Sequence, residues 1–121
     1  MRIEDKIWGE RWMIREDSVH TTNILKLKKG FRCSWHRHKE KYNLFAVITG
    51  KVEIIIEAFW SEQGEIATKS FVLCGGESYY VEPGFWHEFR VIEDGIMVEE
   101  MYVEYKDEDI ERAKLGGPID E

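Results

Sequence analysis

The sequence predicts an all-β fold, a closed or double-sheet antiparallel barrel of the jelly-roll type. Three observations lead there. Apolar and polar residues alternate with period two along much of the chain. The pattern is cleanest from Val52 to Trp60, where Val52, Ile54, Ile56 and Ala58 point one way and Glu53 and Glu57 the other. Glycine-bearing turn signals separate the alternating stretches at short intervals, and only one stretch, near the end, changes to a helical pattern.

The elements follow in order. Lys6–Glu16 carries the apolar run Ile7-Trp8 and Trp12-Met13-Ile14 and predicts a strand bent at Gly9. Glu16-Asp17-Ser18 is a turn. Val19–Lys28 puts Asn23, Leu25 and Leu27 on one face and Ile24, Lys26 and Lys28 on the other, a strand with its lysine face in water. After Lys29-Gly30 comes a strand from Phe31 to His38, then Lys39-Glu40-Lys41 as a solvated turn. Asn43–Ile48 is β-prone, and Thr49-Gly50-Lys51 reads as a tight hairpin turn into Val52–Trp60. Ile55 and Phe59 share the face of Glu53 and Glu57, so that face is expected to pack on a second subunit, and a homodimer is expected. Ser61–Gly64 turns the chain into a strand at Lys69–Cys74, with Gly75-Gly76 after it. Ser78–Val81, His87–Ile92 and Ile96–Tyr105 are strands separated by Pro83-Gly84 and Glu93-Asp94-Gly95. Asp107 can cap a short helix from Glu108 to about Leu115, stopped by Gly116-Gly117-Pro118.

A length of 121 residues suits one domain, with the barrel core over about residues 6–105 and the tail over 107–121. Hydrophobic residues at 43% mark a globular chain. The net charge of -7 argues against nucleic-acid binding, which needs a basic surface. The charged start lacks a signal-peptide core, and no apolar run is long enough for a bilayer, so a cytoplasmic, non-membrane protein is expected. Cys33 and Cys74 form neither a metal spacing nor a disulfide framework.

The chemistry concentrates on histidine. His36 and His38 are two residues apart, so on a strand their rings reach the same face. His87 follows much later, after Pro83-Gly84. These are three of only four histidines, and imidazole nitrogen is the commonest ligand for divalent transition metals. The fourth, His20, belongs to no such pattern and reads as a surface or lining residue.

Gly30, His36, His38 and Gly50, then Gly76, Gly84 and His87, resemble in spacing the two motifs of the cupin superfamily. The chain departs from them at Asn43, where the family has its glutamate, at Glu82 in place of proline, with Pro83 one position later, and at Val91 in place of asparagine. A shorter likeness, in Ile7-Trp8-Gly9-Glu10 and Ile24–Gly30, is to the cupin domain of type II mannose-6-phosphate isomerases. The resemblance implies a cupin double-stranded β-helix in which His36, His38 and His87 hold a divalent transition metal: zinc, iron, manganese or nickel. Asn43 would either join through its side-chain oxygen or act as a hydrogen-bonding strut.

Three functions are compatible with that site. The first is a sugar or sugar-phosphate isomerase or epimerase working through a metal-stabilised enediolate, with Glu100, by alternation with Val98 and Tyr102, as the base. The second is an oxygen-using enzyme with iron(II) on three histidines. The third is a non-catalytic binder of a small polar molecule such as a carbohydrate.

Overall fold

The computed structural model describes residues 1–60, 62–64, 66–102 and 109–120. The described residues form eleven strands: β1 (Arg2–Lys6), β2 (Gly9–Glu16), β3 (His20–Leu27), β4 (Phe31–Arg32), β5 (Trp35–Arg37), β6 (Tyr42–Trp60), β7 (Ile66–Cys74), β8 (Ser78–Val81), β9 (His87–Tyr102), β10 (Glu111–Lys114) and β11 (Gly117–Pro118). The paired strands are all antiparallel. The fold is a jelly roll in which two long strands, β6 and β9, run through both sheets.

One sheet has the order β1-β2-β3-β9-β6-β8. It uses the second half of β9 and the first half of β6, from Tyr42↔Tyr102 to Val47↔Met97. The other pairs the second half of β6 with the first half of β9, from Lys51↔Glu93 to Ile56↔His87. There β7 flanks β6, and β4 and β5 flank β9. The inner faces bury Leu25, Leu27, Phe45, Val47 and Met97 against Val52, Ile54, Phe89 and Val91. Phe45 and Phe89 meet across the sheets, with centroids 5.9 Å apart. Each such side chain contributes roughly 1.5–3 kcal/mol by leaving water.

The corner between the sheets corrects the sequence reading. Thr49-Gly50-Lys51 is not a hairpin turn, and Glu93-Asp94-Gly95 does not end a strand; β6 and β9 run straight through both. Three register shifts between Val47 and Val52 bend the pair instead. Gly50 takes φ 91°, and a Cβ on Gly95 would sit 2.0 Å from the Thr49 carbonyl oxygen. The glycines there allow two bent strands to cross closely rather than reverse the chain. At the start, β1 is an added strand, and the bend at Gly9 is the end of a β1–β2 hairpin.

The expected C-terminal helix is not present over the described residues. Asp107 and Glu108 lie outside them, and Glu111–Lys114 is a strand paired with β5 through Arg112↔His36. Gly117–Pro118 continues this as β11, on β4. The helix preference of Glu-Arg-Ala-Lys amounts to tenths of a kcal/mol per residue, and one turn cannot nucleate alone. The open edge of β5 supplies hydrogen bonds that outweigh it. Lys41 also differs from its expected place in a solvated turn: it is only 4% exposed and points inward. On β6, Glu57 is buried within the single chain.

Candidate metal centre

The two histidine stretches meet because β5 pairs with β9. His36 and His87 are direct cross-strand partners, and their ring centroids are 4.4 Å apart. His38 follows two residues after His36 on the same face, 5.0 Å away ring to ring. One ligand nitrogen from each of the three lies within 4.8 Å of the others, and all three side chains are buried. The turn before His87 is fastened to the first stretch, since Gly84 donates its N–H to the His38 carbonyl at 2.7 Å. Gly84 has φ 88°, a conformation that side-chain-bearing residues rarely adopt.

Each ring is held by its outer nitrogen. His36 Nδ1 donates to the Ser34 carbonyl at 2.7 Å, His38 Nδ1 to the Asp109 carbonyl at 2.7 Å, and His87 Nδ1 to the Phe85 carbonyl at 2.9 Å. A carbonyl can only accept, so Nδ1 carries the proton in all three rings and Nε2 presents a lone pair. His38 Nε2 and His87 Nε2 are buried without a hydrogen-bond partner. Burial lowers the His87 imidazolium to about 4. Burial, with the nearby Lys41 charge, lowers that of His38 to about 3. His36 is lowered well below its usual range by burial and then by its two neighbours. The rings are therefore neutral at pH 7. Three neutral, oriented imidazoles, two of them with buried orphan Nε2 lone pairs, fit a divalent transition metal.

Asp109 organises this mouth from the C-terminal strap of residues 109–118. Its carboxylate accepts the backbone N–H groups of Lys39 at 2.8 Å, Glu40 at 3.0 Å and Lys41 at 3.2 Å, while its carbonyl holds His38. Burial raises the Asp109 carboxyl, but these three donors more than offset it and leave its pKa lowered.

Asn43 is fully buried. Its Nδ2 donates to Glu99 Oε2 at 3.3 Å, and Asn23 Nδ2 donates to Glu99 Oε1 at 3.1 Å. Asn43 is thus a strut to Glu99, while its Oδ1, buried without a partner, stays available as an acceptor. The cavity beside the histidines has a volume of about 390 Å³ and is lined by His36, His38 and Glu99. Glu100 is not at the cavity. It lies on the other face of β9, opposite Thr22, with Oε2 3.7 Å from His20 Nε2. Counting back from Tyr102 chose the wrong parity: Met97, Glu99 and Met101 are the inward residues. In the sequence Glu99 is visible only as one of two adjacent glutamates. Lys41, Arg112 and Asp109 gave no sequence signal, because their roles depend on the strap. Cys33 packs in the core, where burial raises its thiol far above the usual range.

No family model matches the chain's sequence, and no curated protein does. Solved structures match its fold. A variant of Bacillus subtilis oxalate decarboxylase superposes with TM-score 0.71 over 93% of this chain at 16% identity. The capsular polysaccharide assembling protein CapF from Staphylococcus aureus gives 0.73 over 94% at 18%. KdgF from Halomonas sp. gives 0.68 over 88% at 17%. The chain spans 30% of the oxalate decarboxylase and 34% of CapF, but 89% of KdgF. At such identities the likeness is one of fold.

Proposed function

Starting from a chain with the cupin fold, we propose that it is a metal-dependent enzyme, an isomerase or epimerase of a small sugar or sugar phosphate. The observation that carries this reading is the convergence of three Nε2 lone pairs, each ring locked by an Nδ1–carbonyl bond, beside a cavity that also presents a carboxylate. A divalent metal held by His36, His38 and His87 supplies Lewis acidity toward a substrate oxygen. Glu99 then has the role assigned from the sequence to Glu100: it takes a proton from a carbon next to a carbonyl and returns it to the neighbouring carbon or the opposite face. Asn23 and Asn43 fix the direction of that carboxylate. Trp8, Phe89 and Met101 line the cavity with apolar surface suited to a sugar's C–H face, and the volume suits one monosaccharide.

The test is elemental analysis of the purified protein, followed by incubation with aldoses and their phosphates in deuterated water. The expected result is about one transition metal per chain and solvent deuterium on the substrate carbon, with Glu99→Gln retaining metal but losing exchange. No metal after reconstitution with zinc, iron, manganese and nickel would reject the reading. A second reading, an iron(II) oxygen-using enzyme, is favoured by the lack of a carboxylate in the three-histidine cluster among the described residues. Iron in the protein with substrate-dependent oxygen uptake would select it.

A further inference from the structure

A second recess lies between the edges of the two sheets. Among the described residues, β7 and β8 each pair only with β6, so both are edge strands. A cavity of about 180 Å³ opens between them. Its lining includes Glu57 near the end of β6, Lys69 of β7, Tyr79 and Tyr80 of β8, and Glu82 and Phe85 of the loop before β9. None of these lines the cavity beside the histidines. The alternation along β6 puts Glu57 with Glu53 on the polar face, yet Glu57 is only 8% exposed. The backbone seats it: its N–H donates to the Trp86 carbonyl at 2.9 Å, and the β6–β7 register shifts directly after it. Its Oε2 is buried and accepts no hydrogen bond. Lys69, on the rim, is exposed and makes no ion pair with it. A carboxylate oxygen taken out of water without a donor is costly, and a ligand that supplies the donor removes the cost.

The walls say which donor fits. An orphan carboxylate oxygen needs an N–H or O–H, and a charged N–H makes the stronger bond. Tyr79, Tyr80 and Phe85 bring aromatic surface, which attracts ammonium groups through the ring quadrupole. Tyr79 is itself fixed edge-on against Phe71, with centroids 4.4 Å apart. Aromatic walls suit an organic cation better than a bare metal ion, which prefers a cage of oxygens. We propose that this recess binds the head of a small primary alkylammonium ion. Glu57 accepts from its N–H groups, and Tyr79, Tyr80 and Phe85 hold its charge and first carbons. The site is separate from the metal centre and does not depend on the enzyme reading.

The test is calorimetric titration of the full chain with butylammonium, tetramethylammonium and butanol, at about 0.15 M salt to screen exposed carboxylates. Butylammonium carries charge and donors together, tetramethylammonium the charge alone, and butanol a donor alone. Butylammonium is expected to bind saturably, about tenfold or more tighter than either control. Glu57→Gln keeps the shape, removes the charge and is expected to weaken it about tenfold. Phe85→Leu is expected to weaken it about threefold by removing one ring. Lys69→Met removes a like charge from the rim and is expected to leave the affinity equal or tighter. Circular dichroism checks that each variant folds. No saturable binding of butylammonium, a control that binds as tightly, affinity unmoved by Glu57→Gln, or affinity lost in Lys69→Met would overturn the proposal. Should Glu57→Gln not fold, affinity unmoved by Phe85→Leu would overturn it instead.

Discussion

The two ends of the barrel interior are built from the same strands by opposite chemistry. Along β3 the inward residues change from Thr21 and Asn23 to Leu25 and Leu27; along the approach to β6 and into it, from Lys41 and Asn43 to Phe45 and Val47. On β9 the inward residues are Met97, then Glu99, with Met101 beyond it. The change falls within one residue pair on three strands that are hydrogen-bonded neighbours. One end is packed like a core. The other holds buried polar groups, several of them, among them Thr21 Oγ1, Asn23 Oδ1 and Asn43 Oδ1, without partners. Polar groups left unmatched in a folded interior cost stability and commonly mark where a ligand completes the structure. The apolar end stabilises the barrel, and the polar end uses part of that stability.

That division can be broken at either end. The largest effect is expected from Phe45→Ala, a loss of about 3–5 kcal/mol in chemical denaturation, with the molecules that remain folded still binding metal. Next is His87→Ala: the metal is expected to be lost, its affinity falling more than about 100-fold, while the barrel stays folded by circular dichroism. Asp109→Ala follows, lowering metal affinity about 10–100-fold in competition with a chelator, because the turn that carries His38 and Lys41 loses its three anchored N–H groups. Asn23→Leu extends the apolar lining by one step. It is expected to change stability by less than about 1.5 kcal/mol while abolishing deuterium exchange, since Glu99 loses one of its two guides.

Apart from the substitutions, pH is expected to act on the polar end. The His38 and His87 pKa values fall from 6.5 in the open chain to about 3 and about 4 when folded. Below about 6.5 the unfolded chain therefore takes up protons that the folded chain refuses. Stability of the metal-free protein is present above that pH and falls as the pH drops toward about 4. Thermal melts at steps between pH 7 and 4 check the sign, and melts that stay level or rise on acidification would contradict it.

The strand pattern and the shared face of His36 and His38 were legible because each rests on a local rule: alternation with period two, and a ring two residues from another; that His87 joins them was implied only by the resemblance to the cupin motifs. Three features were not. The Gly50 and Gly95 signals mean turn or tight crossing alike, and only the partner strand decides. Glu99 and Glu100 differ by one step of parity, which the bends in β6 and β9 set. Glu111–Lys114 prefers a helix when alone, and the vacant edge of β5 made it a strand. In each case long-range pairing overrode a local preference worth less than about 1 kcal/mol.

The β5–β10 pairing also orders events in time. Asp109 comes after the three histidines and Glu99 in the chain, so a nascent polypeptide can close most of its barrel before His38 has its anchor. The pairing β10 joins holds β5 to β9 through the single partnership of His36 with His87. Completion of the candidate site thus becomes the closing act of maturation, and a chain cut short before residue 109 would be a barrel with an unfinished entrance.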